Sequence, residues 1–170
     1  MKFERPSWDE YFMIQAELAS LRSNCIVRKV GAVIAKGNRQ LATGYNGTPP
    51  GIANCYENGC ERCCDRIHGR IRSGEHLDKC MCTHAEANAI IHCAILGVNT
   101  TSGSTLYSTL SPCLECTKLA ITIGVQRIVY MTAYSVDTQA LIMDAGIKTT
   151  RMDKTQVGRW VNMLASTYRE

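Results

Sequence analysis

No stretch of this 170-residue chain stays apolar for the roughly 18 residues that a membrane span needs. The opening segment, MKFERPSWDEYF, mixes charges with aromatic rings and holds no apolar stretch of the kind that starts a secreted precursor. The expected compartment is therefore the cytoplasm (host cytoplasm for a viral chain). No run of five like charges occurs, and basic residues are not interleaved with aromatic ones, so the footprint of a nucleic-acid-binding surface is missing. The net charge of +4 suits a phosphate-bearing ligand and points no further. Neither an internal repeat nor a linker interrupts the chain, so residues 1–170 are expected to form one domain. With 45% hydrophobic and 20% charged residues, a disordered or collagen-like chain is excluded. A domain of this size hides roughly two-thirds of its unfolded surface, so disulfides are not needed to hold it together. Against these absences stands one excess, ten cysteines. In a reducing compartment, that many thiols read as metal ligands rather than as a disulfide framework.

Ser7 followed by Glu10 fits a capping box, and Tyr11, Ile14, Leu18 and Leu21 recur at helical spacing, which predicts a helix over 8–23. VGAVIAK (30–36) and QLATGYN (40–46), joined by Gly37-Asn38-Arg39, read as a hairpin. Periodicity then disappears from Gly47 to Thr83, a segment with six cysteines. A loop this long in a compact domain is functional or needs a staple. Beyond it the pattern predicts a buried helix (84–96) ended by Gly97, and a strand (104–110). A helix over 112–123 follows, with Ser111 as cap and Pro112 as its first residue, then a strand over 126–132. A helix (136–145), a weaker strand (147–152) and a final helix (155–167) complete the chain. A hairpin followed by alternating strands and helices implies an α/β protein: a three-layer α/β/α domain around a five-stranded mixed sheet.

The residues with the most chemical content are His84, Glu86, Pro112, Cys113 and Cys116, arranged as H-A-E and then P-C-L-E-C. One imidazole and two thiolates supply three zinc ligands and leave a fourth position open, the arrangement of a catalytic rather than a structural site. Cys113 and Cys116 are three apart at a helix start, so both sulfurs reach one metal. His84 also opens a helix, and the partial positive charge of two helix N-termini favours thiolates and a bound hydroxide. Glu86 is near enough to exchange a proton with a metal-activated water without ligating. H-x-E…P-C-x-x-C is also the signature of zinc-dependent nucleobase deaminases, which the chain resembles in these residues.

SNCIVRKVGAVI (23–34), GYNGTPPG (44–51), CTHAEANAI (82–90) and TLYSTLSPCLEC (105–116) extend the likeness across most of residues 8–150. In these segments the chain resembles the deoxycytidylate (dCMP) deaminase family, and GYNGTPPG sets it apart from free-nucleoside and tRNA deaminases. The resemblance implies a cytidine-deaminase-like fold and hydrolysis of dCMP to dUMP and ammonia, a route to thymidylate. It implies that water attacks C4 of the cytosine while Glu86 protonates N3 and passes a proton to the departing ammonia. Asn46 takes the position of the residue that contacts the sugar, the Ala85 amide that of the donor to the base O2, and Tyr134 that of an aromatic near the substrate. Gly44, Tyr45, Asn46 and Gly47 match the region that helps form a regulatory nucleotide site, where dCTP or dTTP binds with magnesium. The family assembles as homo-oligomers, often hexamers. One departure stands out: Ile95 occupies the position of an arginine that holds the substrate phosphate. Another cytosine nucleotide, such as dCTP or a 5-modified dCMP, fits the same zinc chemistry.

By the same resemblance, Cys25, Cys55, Cys60 and Cys80 are placed like the ligands of a second, structural zinc that staples the loop. Four thiolates close a tetrahedral site. Cys63, Cys64, Cys82 and His68 are near neighbours, and Cys60-x-x-Cys63 is itself a knuckle spacing, so other sets from this loop also fit. His92 and Cys93 read as rim and core of the H-A-E helix. Two further functions share the metal motif: a deaminase acting on nucleic acid, and a zinc-stapled module without catalysis. The missing basic stripe argues against the first, and Glu86 beside an open-coordinate metal argues against the second.

Overall fold

The computed structural model describes residues 4–100, 103–134 and 138–167. Strands β1 (Gly31–Lys36) and β2 (Arg39–Tyr45) pair antiparallel, with Lys36 opposite Arg39. The two residues between them, Gly37 and Asn38, both have positive φ (54° and 61°). This is the tight turn whose twist matches a hairpin, and glycine and asparagine are the residues that tolerate it. Strands β3 (Ser104–Leu110), β4 (Val125–Thr132) and β5 (Lys148–Arg151) complete a five-stranded sheet of order β2-β1-β3-β4-β5. β1 pairs with β3 antiparallel, whereas β3, β4 and β5 run parallel. The expected mixed sheet is borne out.

Alternation along the strands builds two cores. Ala32, Ile34, Leu106 and Ile128 face one side, where they meet Ala85, Ala89 and Ile90 of helix α3 (Ala85–Ile95). Val33, Ala35, Tyr107 and Val129 face the other and meet Phe12, Met13 and Ala16 of helix α1 (Trp8–Ser20) and Val157 of helix α6 (Lys154–Ser166). Helices α4 (Leu114–Thr122) and α5 (Gln139–Asp144) join α3 on its face, α4 through Ala120 and α5 through Ile142. The result is the expected three-layer α/β/α arrangement, in which central strands are buried on both faces. Positions 136 and 137 of the helix expected over 136–145 lie outside the described residues. Among the described residues no helix is long and apolar enough to cross a membrane.

Three details differ from the sequence pattern. The Ser7–Glu10 capping box forms, with Ser7 N donating to Glu10 Oε2 (2.7 Å) and Glu10 N to Ser7 Oγ (3.2 Å). The buried face of α1 is nevertheless Phe12, Met13 and Ala16, while Leu18 and Leu21 stand 66% and 67% exposed. Apolar residues occur on more than one face of the helix, so periodicity allows two faces. The choice falls at Gly31, where a Cβ would lie 1.9 Å from the Ala16 carbonyl oxygen. The α1 backbone therefore rests directly on β1 at Ala16. Helix α4 is capped by Cys113 rather than Ser111. Ser111 instead joins the strand ends: its amide donates to Thr132 O (2.8 Å) and its hydroxyl accepts from Tyr134 N (2.6 Å). Finally, the aperiodic segment contains helix α2 (Glu61–Ile67), flanked by short 3-10 turns at Cys55–Glu57 and Leu77–Lys79. A two-turn helix without an apolar stripe leaves no periodic trace. The ends of that segment meet, as Gly47 N donates to Thr83 O (3.1 Å) and Thr83 N to Gly47 O (2.8 Å).

Helix α3 crosses β2 closely. Its side chains Asn88 and His92 reach the carbonyls of Tyr45 (2.7 Å) and Thr43 (2.8 Å). A Cβ on Gly44 would lie 2.1 Å from the Ala85 carbonyl oxygen and 2.4 Å from the Ala89 amide. Both are backbone atoms and cannot swing away. Gly44→Ala is expected to lift the first turns of α3 off the sheet and cost about 1–3 kcal/mol or more. Denaturant unfolding of the variant beside the parent checks this, and an unchanged midpoint would contradict it.

Candidate active site

Two helix starts converge at the C-terminal end of β3. His84 is the N-cap of α3, Cys113 the N-cap of α4, and Cys116 lies one turn into α4. His84 Nδ1 is 3.3 Å from Cys113 Sγ and 3.5 Å from Cys116 Sγ, and these three donors form one of the groups able to hold a metal. The Cys116 amide, among the first amides of α4 that lack an intrahelical acceptor, reaches the Cys113 sulfur. The Cys113 thiol is held down to about 4, first by a hydrogen bond from Cys116 and then by His84. His84 is in turn held up to about 9, chiefly by Cys113. Cys113 thus favours ionised sulfur, the form that ligates a divalent metal, whereas the hydrogen bond with Cys113 and burial push the Cys116 thiol up. One imidazole and two thiolates fit a zinc ion with an open position.

The Glu86 side chain is buried beside this group, 4% exposed, and its Oε1 accepts from Ser108 Oγ (3.0 Å). Burial pushes the Glu86 carboxyl above its ordinary value, while His84 and Ser108 act in the opposite sense. Glu86, His84, Ala85, Asn46, Cys113 and Tyr134 line a single cavity. Asn46 is buried and braced: Oδ1 accepts from Ser23 Oγ (2.7 Å) and Val30 N (2.8 Å), and Nδ2 donates to Arg28 O (2.9 Å). One Nδ2 hydrogen is left for a ligand. Ala85 is fully buried as the first residue of α3, so its amide has no intrahelical acceptor. Tyr134 is half-buried with the Arg28 guanidinium over its ring, 5.4 Å from the centroid.

Gly44 and Gly47 are sites of close backbone approach. A Cβ on Gly47 would sit 2.8 Å from Asn24 Oδ1. Tyr45 is partly exposed and its carbonyl is taken by Asn88.

Residues not singled out from the sequence also reach the cavity. Ser108 is one: it lies on β3 among the inward-facing positions and steadies the Glu86 carboxylate. Arg28, Arg62 and Arg66 also line the cavity. Arg62 and Arg66 are four apart on α2 and share a face, which required knowing that a helix is there. Ile95, by contrast, is 74% exposed at the far end of α3.

The remaining cysteines gather into two further groups: Cys25, Cys55, Cys63 and Cys82, and Cys60, Cys63, Cys80 and Cys82. In each, all four sulfurs lie within 4.8 Å of one another. The set expected from resemblance, Cys25, Cys55, Cys60 and Cys80, is divided between them, and Cys63 and Cys82 belong to both. The reason is local geometry. Cys60 caps α2 and Cys63 lies a turn later, so both point the same way, and Cys80 and Cys82 are two apart in extended chain. Cys64 and His68 turn elsewhere: Cys64 Sγ to Asn58 Oδ1 (3.5 Å) and His68 Nδ1 to Cys64 O (2.7 Å). Cys93 packs in the α3 core.

Comparison with known proteins agrees with this site. Residues 6–132 match the family model described as the cytidine and deoxycytidylate deaminase zinc-binding region. The chain is 44% identical over 146 residues to a deoxycytidylate deaminase of Schizosaccharomyces pombe, covering 85% of this chain and 44% of that protein. It is 41% identical over 130 residues to a deoxycytidylate deaminase of Mycobacterium phage D29, covering 74% of this chain and 95% of that one. The chain thus spans less than half the length of the yeast relative and nearly all of the phage one. Among solved structures, the dCMP deaminase of cyanophage S-TIM5, in complex with dCMP and dUMP, superimposes with a TM-score of 0.69 at 32% identity, over 88% of this chain and 100% of that one. The chain belongs to the zinc-dependent cytidine and deoxycytidylate deaminase family.

Proposed function

We propose that this chain hydrolyses dCMP to dUMP and ammonia. The observation that carries the reading is a group of three metal donors, not four, sharing a cavity with a buried carboxylate. Three protein ligands leave a coordination position for water, which a structural site does not need. Zinc held by His84, Cys113 and Cys116 supplies Lewis acidity that brings the pKa of water toward neutrality. Glu86 takes a proton from the attacking water and delivers it to N3 of the cytosine, then carries that water's other proton, released as the C4 carbonyl forms and the C4–N bond breaks, to the amino group that leaves as ammonia. Its two oxygens are suited to this because Ser108 holds one in place. The Ala85 amide donates to the base O2, and the remaining Asn46 N–H donates to a sugar hydroxyl. Tyr134 covers the base side of the cavity mouth.

Arg28, Arg62 and Arg66 supply the phosphate contact. They replace the arginine missing at Ile95 with guanidiniums that line the cavity. Guanidinium pairs with phosphate oxygens in charge-assisted, often bidentate hydrogen bonds. This supports a nucleotide over a free nucleoside. Zinc at the cysteine groups of the 47–83 segment is structural in this reading. Assembly into a homo-oligomer belongs to it too, and exposed Ile91, Ile95 and Leu96 on α3 offer apolar surface for such contacts.

Incubation of the zinc-loaded chain with dCMP, dCTP, CMP, deoxycytidine or 5-substituted dCMP, followed by loss of cytosine absorbance, tests the reading. Repeating the assay with dCTP or dTTP added reads effector control. Turnover is expected on dCMP, and a zinc-bound chain inert on every cytosine nucleotide rules the proposal out. Glu86→Gln should retain zinc and lose about 10²- to 10⁴-fold in kcat. Near-parental kcat in that variant would remove Glu86 from the proton path. Arg62→Ala is expected to raise KM for dCMP about tenfold or more while leaving any slow turnover of deoxycytidine unchanged. Equal losses on both substrates would place Arg62 outside phosphate recognition.

A further inference from the structure

Six thiols gather beside the cavity, which Cys25, Cys63, Cys80 and Cys82 help to line, and four ligands for one metal do not use them up. Cys25, Cys55, Cys63 and Cys82 form one tetrad, and Cys60, Cys63, Cys80 and Cys82 form another. Choosing either tetrad for a single metal strands the two thiols that belong only to the other. The stranded pair would be Cys25 and Cys55 or Cys60 and Cys80, and Cys55 and Cys60 are fully buried. All six are free thiols, so no disulfide accounts for their proximity.

The arithmetic closes if the shared sulfurs bridge. Two tetrahedral ions need eight sulfur positions. Four terminal thiolates supply four, and two bridging thiolates counted at each metal supply the other four. We propose that Cys25, Cys55, Cys60, Cys63, Cys80 and Cys82 hold a binuclear zinc–thiolate cluster, with Cys63 and Cys82 bridging the two ions. The metal count therefore rises to three per chain, one at His84, Cys113 and Cys116 and two here.

Three features of the structure support this. The first is spacing. Zinc–sulfur bonds of about 2.3 Å place tetrahedral sulfurs about 3.8 Å apart. Cys25 Sγ and Cys63 Sγ are 3.9 Å apart. The second is centrality. Cys63 adjoins Cys25, Cys55, Cys60 and Cys80, and Cys82 adjoins Cys25, Cys55 and Cys80, so both touch terminal members of each tetrad. The third is the backbone around the terminal sulfurs. Amides of Val27 and Arg28 point at Cys25, that of Ile26 at Cys55, that of Met81 at Cys60 (3.4 Å) and that of Cys82 at Cys80. A terminal thiolate keeps more negative charge than one shared between two cations, and it is the terminal sulfurs that receive these N–H donors. Two divalent ions and six thiolates leave a net charge of −2, which the amides and the neighbouring Arg28, Arg62 and Arg66 offset.

The cluster does not depend on whether the chain turns over dCMP. Native mass spectrometry of the full zinc-loaded chain is expected to show three zinc ions, and cadmium-113 NMR of the cadmium-exchanged chain two all-thiolate resonances coupled to each other. Cys113→Ala/Cys116→Ala removes the catalytic donors and should keep two ions. Two ions on the parent chain, a single all-thiolate resonance, or two without mutual coupling would overturn the cluster. An active chain with two ions refutes the cluster alone, and an inactive chain with three refutes only the proposed reaction.

Discussion

The approach of α3 to β2 is the constraint on which the rest of the site depends. Gly44 lets the Ala85 carbonyl and the Ala89 amide come within a distance that no other residue permits. Asn88 and His92 then clamp the helix to two carbonyls of the edge strand. Because the helix is fixed at its first turn, His84 and Glu86 occupy set positions over the end of β3. The strand itself supplies the rest: Ser108 steadies the carboxylate, and the chain after Leu110 turns through Ser111 and Pro112 into Cys113. Two helix N-termini and one strand end thus meet without any long loop between the catalytic groups.

That geometry also explains how a carboxylate tolerates burial. Desolvation alone disfavours the charged form. Here the opposing influences are local: the Ser108 hydroxyl and the neighbouring His84 imidazole. The same helix start that favours thiolate at Cys113 directs unpaired amides toward the site. A residue meant to move protons benefits from this balance, because a carboxylate fixed firmly in one protonation state shuttles poorly.

Much of the molecule was legible in the sequence, for identifiable reasons. The hairpin was clear because Gly37-Asn38 lies between two apolar stretches. The strand at Ser104–Leu110 matched residue for residue because its β-branched and apolar run is bounded by glycine and proline. The donor group at His84, Cys113 and Cys116 was readable because each motif lies at a helix start. Other features depended on contacts that no local pattern encodes. The buried face of α1 was set by a backbone approach at Gly31. Ser111 had the chemistry of a cap, but β4 claimed it. Arg62 and Arg66 became neighbours only through a helix too short to show a period. Among the cysteines, sequence indicated how many were crowded together, and only the fold showed that Cys63 and Cys82 stand between the others.

The segment from Gly47 to Thr83 illustrates what those thiols are for. Its buried contact with the rest of the chain is a core of cysteines, with Ile26 and Val27 beside them, joined by hydrogen bonds from Asn24 to Thr48 and Asn54. Thiols bury little apolar area, and one short helix with two 3-10 turns cannot offset the entropy of ordering some three dozen residues at roughly 1–2 kcal/mol each. The two backbone hydrogen bonds between Gly47 and Thr83 close its base but do not order its body. Metal–thiolate bonds can, since a structural zinc site is itself a source of folding free energy. The ordering reaches the active site directly. Cys25 is three residues from Arg28, Cys63 lies between Arg62 and Arg66, and Cys82 is two residues from His84. The arginines and the metal-donor group that line the cavity are therefore tied to one cluster of sulfurs. In the proposed reading, metal coordination rather than packing fixes the shape of this segment, which is how a stretch with little apolar content can form a wall of the cavity.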